Sequence, residues 1–318
     1  MTSAVESGSS RIIRLGTRSS PLALWQAEFI RDQLKASHPK VSVELVKIST
    51  LGDRDRNSPL AAVGGMGLFT KEIQKALLEQ SIDIAVHSLK DLPTSQPEGL
   101  TLGAIPERES ITDSLISPKY QTLANLPQGA RLGTSSLRRK AQVLNIRPDL
   151  QVEPIRGNVE TRMKRATEGD LDAVILATAG LNRLKYSEFV TAELAPPEYL
   201  TAVGQGALGV ECRSDDSEVL SLLESLNDNA TRCSVLAERH LLRLLEGGCM
   251  IPLAAWGRTD SHGQLTLTGH VFSADGSRKI GAEATAPLSD PEAVGKQVAD
   301  QLLALGAAEI LGTDPTVG

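Results

Sequence analysis

The residues best suited to chemistry in this chain are arginines set at the ends of short apolar runs. The segment from Arg131 to Arg165 holds nine Lys or Arg residues and three acids, a local balance of +6 in a protein whose net charge is −6. Within it, Arg138 and Arg139 follow Gly133-Thr134-Ser135-Ser136, the pattern of a strand running into a helix N-terminus. The helix dipole is already positive there, which makes a cation unfavourable. Two readings stand open. One is a solvated helix start that tolerates the charge. The other is an anion site, where backbone N–H groups and guanidinium forks hold carboxylates or phosphates.

Further candidates occupy the same kind of position. Arg18 and Ser20 follow an apolar strand, Ile12 to Gly16. Lys90 and Asp91 follow Ile82–Val86, Arg156 ends Val152–Ile155, and Arg183 follows Asp172–Leu176 after a glycine turn. In parallel sheets, ligands bind outside the C-terminal ends of the strands. Arg162 lies beside the helical stripe Val159, Met163, Ala166 and can border a cleft, whereas Lys164 points away as plain surface. Asp91 is one acid among many arginines, and nearby cations favour its carboxylate. It is either a chemical group or a salt-bridge partner that holds the arginines in place. Cys249 stands in EGGCMIP, a glycine turn that exposes a thiol more than Cys212 and Cys233, which read as small buried hydrophobes. Reactivity there requires a lowered thiol pKa.

The elements that must position these residues repeat. Arg14-Leu15-Gly16-Thr17 is echoed by Arg131-Leu132-Gly133-Thr134, each before serines and a helix. Strand 43–48 is echoed by 152–155, helix Leu68–Leu78 by Val159–Thr167, and strand Asp83–Val86 by Asp172–Leu176. Each half is a β-α-β-α-β unit, which predicts mostly parallel sheets covered on both faces. Ser20 is a good N-cap and Pro21 a good first helical residue, with Leu22, Trp25 and Phe29 on one face. Residues 49–67 read as a long functional loop. Segments 94–112 and 200–215 read as crossings between two lobes. From Asn229 a helix, three alternating segments and a last helix from about Pro291 to Leu305 form a small antiparallel third domain.

Composition sets the outer bounds. A chain of 318 residues predicts two or three domains. Aromatics at 3% and a net negative charge argue against nucleic-acid binding. No apolar run is long enough to span a membrane. The three cysteines have neither metal-ligand spacing nor an even count, so no metal site is expected, and a reducing, cytoplasmic setting is. Residues 1–10 read as a disordered tail without an apolar leader core.

Taken in order, LGTRSSPLALWQA (15–27), GLFTKEI (67–73), DIAVHSLKDLP (83–93), GTSSLRRKAQ (133–142), RGNVETR (156–162), AGLNRL (179–184), AVGQGALGVECR (202–213) and EGGCMIP (246–252) resemble the porphobilinogen deaminase (hydroxymethylbilane synthase) family. The set spans nearly the whole chain. The resemblance implies an α/β fold of three domains. The first two are like type II periplasmic binding proteins, at 11–106 with 207–226 and at 107–206, and a small α+β domain covers 227–318. It implies a dipyrromethane cofactor in thioether linkage to Cys249. Onto it four porphobilinogen molecules are added in turn, each losing ammonia, before water releases hydroxymethylbilane. It assigns Arg138, Arg139, Ser136 and Lys90 to the cofactor, and Arg18, Ser20, Arg156, Arg162 and Arg183 to substrate and intermediate carboxylates. It assigns Asp91 to the cation left when ammonia departs. A monomer acting on a small molecule is expected, with neither nucleic acid nor membrane as partner. One departure is Met66, where many family members carry a lysine before GLF. The competing reading is a two-lobed solute-binding or sensor protein for an anionic ligand, which gives no role to Cys249.

Overall fold

The computed structural model describes residues 11–54, 70–245 and 251–312. The expected tail, Met66 with most of the expected loop 49–67, and Cys249 lie outside the described residues. The described start of that loop is a short helix, α2 (Leu51–Arg54).

The first lobe is built from β1 (Ile12–Thr17), α1 (Pro21–Ser37), β2 (Ser42–Lys47), α3 (Lys71–Leu78), β3 (Ile84–Ser88) and β4 (Leu100–Ala104). The chain then enters a second lobe. This comprises β5 (Asp113–Ile116), β6 (Arg131–Gly133), α4 (Leu137–Ile146), β7 (Gln151–Glu153), α5 (Val159–Thr167), β8 (Ala173–Ala177), α6 (Thr178–Arg183) and β9 (Ala192–Leu194). It returns to the first lobe as β10 (Leu208–Arg213) and α7 (Ser217–Glu224). The sheet orders are β2-β1-β3-β10-β4 and β7-β6-β8-β5-β9, so the expected β-α-β-α-β echo holds in space.

Two expectations need correction. Both sheets are mixed rather than parallel throughout: four strands in each point the same way, and one antiparallel strand, β10 or β5, is inserted between them. The stretches read as plain crossings contain strands β4 and β10. Strand β10 alternates, with Leu208, Val210 and Cys212 in the first-lobe core and Glu211 bonded to Gln74 and His87, so the signal is present in LGVECR, although its glycines read as a crossing. Trp25 and Phe29 of α1 share a face as expected, beside the buried one. The buried residues of this helix are Gln26, Ala27, Ile30 and Leu34. Trp25 and Phe29 stack on one another, their ring centroids 5.3 Å apart.

The third unit packs α8 (Asn229–Leu244), α9 (Pro291–Ala304) and α10 (Ala307–Leu311) on a sheet of β11 (Leu253–Thr259), β12 (Gln264–Phe272) and β13 (Lys279–Pro287). It grips both lobes. Ala254 and Phe272 bury against Ala141 of α4 and Leu200. The fully buried carboxylate of Glu238 accepts from both terminal nitrogens of Arg108, at 2.8 and 3.0 Å. It also accepts from the backbone N–H groups of Gly204 and Gly257. One α8 side chain thereby ties together both inter-lobe connections and β11. The connections themselves touch at Gly206 (φ +82°), where a Cβ would lie 2.3 Å from the Glu109 carbonyl oxygen. Only glycine fits that approach.

Candidate functional site

Each lobe presents its candidates where the local sequence stops a strand. Ser20 caps α1 by accepting from Ala23 N–H at 3.3 Å, as its position predicts. Ser136 caps α4 by accepting from Arg139 N–H at 3.4 Å. Strand β3 extends two residues further than expected, through His87 and Ser88, into a single 3-10 turn, Leu89–Asp91. Arg156 stands three residues past the end of β7 rather than on it. Arg183 ends the short helix α6, where a cation suits the dipole, and Gly180 is helical rather than a turn.

Arg18, Ser20 and Asp91 line one small cavity of about 60 Å³, with Gln26, Thr70 and Ser88 in its wall. A larger concavity, about 680 Å³, lies at the opposite ends of the first-lobe strands. There Arg11, Arg14 and Arg213 pair with Asp83, Asp216 and Glu218. That network is saturated by its own ion pairs and sits away from the strand C-termini, where ligands bind. The smaller cavity is the one that lies at those strand ends.

Asp91 is exposed, and its charge reaches cations from both lobes. It favours the charged forms of Lys90, Arg139 and Arg162. Burial, with Arg139 close by, pushes the Lys90 ammonium down to about 8. Burial also lowers Arg162, again with Arg139 next in weight. Burial brings Arg183 down to about 10. The Arg183 guanidinium lies 5.5 Å from the Trp25 ring centroid, a cation–π contact between second and first lobes. It also donates to Gly206 O at 2.8 Å. Arg162 Nε donates to Gly157 O at 2.8 Å.

Arg138 and Arg139 are buried, and both rest on Asp113. Each donates an Nη2 hydrogen to one of its carboxylate oxygens at 2.7 Å. Burial alone would raise the Asp113 pKa, but the two guanidiniums outweigh it and hold the carboxyl below its usual range. The salt-bridge partner of this arginine pair is therefore Asp113 and not Asp91. Sequence reasoning missed it. The available signal was a lone acid in the uncharged run ITDSLIS, because a buried charge requires a partner. Gln205 was missed too. Fully buried, its amide donates to Asp113 Oδ1 at 2.9 Å and accepts from Lys90 Nζ at 3.5 Å, linking the two lobes.

Not all of the basic stretch serves the site. Arg131 pairs with Glu153, Arg147 with Asp149, Arg165 with Asp170, and Lys164 with Glu160. Lys164 is surface, as expected. The two buried arginines plus Asp113 leave one net positive charge. The Nε–H groups of Arg138, Arg139 and Arg183 are buried with no acceptor among the described residues. Such donors fit an acidic ligand, whose carboxylates would satisfy them.

The Asp113 clamp carries a stability prediction. Asp113→Asn removes the charge from a desolvated three-residue cluster, and it should lower unfolding free energy by about 2–5 kcal/mol. Glu153→Gln, at the exposed Arg131 pair, should cost far less, because solvent screens such a pair. Urea unfolding of both variants measures the contrast; equal losses would show that the Asp113 cluster is no more than a surface pair.

Comparison with known proteins bears on what this arrangement does. A family model described as "Porphobilinogen deaminase, dipyromethane cofactor binding domain" matches residues 13–221, and one described as "Porphobilinogen deaminase, C-terminal domain" matches 232–304. A porphobilinogen deaminase of Maridesulfovibrio salexigens is 51% identical over 95% of this chain and 97% of its own length. One of Geobacter sulfurreducens is 52% identical over 94% and 93%. Among solved structures, the methionine-binding protein MetQ is similar at 11% identity with a TM-score of 0.45, covering 72% of this chain and 96% of its own.

Proposed function

The chain belongs to the porphobilinogen deaminase family, and from that membership and the site's geometry we propose how its residues carry out hydroxymethylbilane synthesis. The reaction is a transferase reaction: porphobilinogen units are joined stepwise with loss of ammonia, then released by water as a linear tetrapyrrole. The observation that carries this reading is full-length similarity at about half identity, together with one acid, Asp91, facing cations from both lobes.

When bound, the dipyrromethane supplies the pyrrole terminus to which the first substrate is joined. The roles that the family resemblance implies for the chain's own residues fit their chemistry. Arg138, Arg139, Ser136 and Lys90 hold its acetate and propionate groups, with Cys249 as the attachment point. Arg18, Ser20, Arg156, Arg162 and Arg183 hold the carboxylates of incoming and joined units, since guanidinium forks match carboxylates in geometry. Asp91 faces the methylene cation left as ammonia departs, a fixed charge set where positive charge develops. The division into 11–106 with 207–226, 107–206 and 227–318 belongs to the same reading. So do a monomeric state and a cytoplasmic location. Among the described residues no helix is long and apolar enough to cross a membrane.

Acid Ehrlich reagent tests the reading directly. It should colour the purified protein through a bound dipyrromethane, and added porphobilinogen should be consumed. A two-lobed solute-binding protein would give neither result.

A pH prediction arises from Lys90. Only its ammonium form binds a carboxylate, and its pKa is depressed to about 8. Loading of cofactor-free protein should therefore slow as pH rises through about 8, and Lys90→Met should flatten that limb while lowering the rate below it. An unchanged limb in Lys90→Met would assign it to another group.

A further inference from the structure

The turn that carries Asp91 is held from outside the lobe to which it belongs. Arg239 of α8 is 6% exposed and reaches the carbonyl side of this turn. Its Nη1 donates to Leu92 O at 3.0 Å and Leu89 O at 3.5 Å, and its Nη2 donates to Pro93 O at 2.7 Å. These carbonyls lie at the end of a single 3-10 turn, which has no following helix to satisfy them. Buried carbonyls left unpaired are costly. A planar fork with donors at fixed angles spans two adjacent carbonyl groups, which an ammonium on a flexible stem cannot do equally well. On the other side, Leu89 N–H donates to Ala207 O at 3.0 Å. Gly204 packs so close that a Cβ there would lie 3.3 Å from Leu89 C and Lys90 N. The adjacent residue of α8, Glu238, fixes Gly204 through its backbone N–H at 2.7 Å. Two consecutive α8 residues thus hold both sides of the Asp91 turn, one directly and one through the inter-lobe connection.

We propose that Arg239 is a positioning residue for Asp91: from α8 it fixes the turn at the depth and angle at which the acid meets the reacting substrate. It touches no reacting atom and acts through the backbone of residues 89–93. The inference rests on the reading of Asp91 as the catalytic acid. It adds that the third unit controls the acid's geometry from α8, whose last residue, Leu244, is five positions before Cys249.

The test uses cofactor-bearing Arg239→Gln and Arg239→Lys, each confirmed by intact mass. Misplacement by about 1 Å can cost about a hundredfold in rate. Arg239→Gln should lower kcat by about tenfold to a hundredfold with KM within about twofold, because substrate carboxylates are bound elsewhere. Arg239→Lys should recover part of the loss. Hydrogen exchange should quicken at the amides of residues 89–92 in proportion, a readout that a general loss of stability would spread over the whole third unit. Wild-type kcat in a folded, cofactor-bearing Arg239→Gln overturns the proposal, as does a slow variant whose turn exchanges like wild type. If Arg239→Gln does not fold, Arg239→Lys decides by the same two readings. Wild-type protein that fails to consume porphobilinogen would sink the functional reading instead, and exchange at the turn would then decide the positioning claim alone.

Discussion

Asp91→Asn should retain the fold and the cofactor mass yet lose about 10²- to 10³-fold in turnover. The substitution keeps the shape of the side chain and removes its charge. Asp91 is exposed, and its turn is supported by Arg239, Ala207 and Gly204 rather than by its carboxylate. The fold therefore has little reason to change. The electrostatics change a great deal. The surrounding groups Lys90, Arg139 and Arg162 are cationic; Asp113 pairs Arg139 from the buried side, and Asp91 is the exposed acid whose charge reaches all three. A cationic pocket binds carboxylates well but opposes any positive charge that forms within it. Loss of ammonia creates such a charge, so one anion placed at that point lowers the barrier in a way no additional arginine could. Binding should survive and the chemical step should not: KM should change little while kcat falls. Single-turnover measurement on cofactor-bearing protein separates the two. Turnover within a few-fold of wild type would remove Asp91 from the mechanism.

The same residues show how far sequence reading reaches. The two β-α-β-α-β halves were legible because each strand and helix carries its own local period, and α5 spans the expected residues 159–167. That Arg18, Ser20, Lys90, Asp91, Arg138 and Arg139 stand past strand ends was legible, because such positions need only order along the chain. What failed was anything defined by tertiary pairing. Strand β10 returns from far along the chain to pair with β3, and although LGVECR alternates, nothing local says which strand it joins. Asp113 pairs across 25 and 26 positions with the two arginines that seemed to await an external anion. That pairing changes their meaning. The two arginines are buried rather than solvated: Asp113 and the carbonyls of Leu200 and Ile175 meet their terminal nitrogens, and the Nε–H groups are the donors without an acceptor among the described residues.

Glu238 and Arg239 left a fainter trace. They lie three and four residues after Val235, on the stripe that also includes Leu242, in the middle of an apolar face. Two charges in such a stripe are costly unless each finds a partner. Both find partners outside their own unit: Glu238 in Arg108 and the glycine backbone, Arg239 in the Asp91 turn. The rule that could have found them is the one that also marks Asp113: charge inside an apolar pattern signals a contact between units. Sequence shows that such a contact must exist and leaves open which surface supplies it.

Cys249→Ser should abolish activity and return the protein to its sequence mass, whereas wild-type protein should be heavier by two pyrrole units. The choice of this cysteine gains support from the other two. Cys212 is fully buried, and burial pushes its thiol up to about 11. Cys233 is also buried, and burial raises its thiol as well. A thiolate is the nucleophile in thioether formation, so both are suppressed in the form that reacts. Cys249, outside the described residues, is the remaining cysteine of three. An attached acidic group reaching Arg138 and Arg139 would bridge the third unit to the second lobe and pair the donors now without acceptors. A group bound only by the folded chain stabilises it, so Cys249→Ser should also melt at a lower temperature. Cys212→Ala and Cys233→Ala should keep the added mass, with at most a packing loss. Expression in cells able to make porphobilinogen, followed by intact mass and thermal melting, gives all three readings. An adduct that persists in Cys249→Ser, or is absent from wild type, would show that the attachment point has been misassigned.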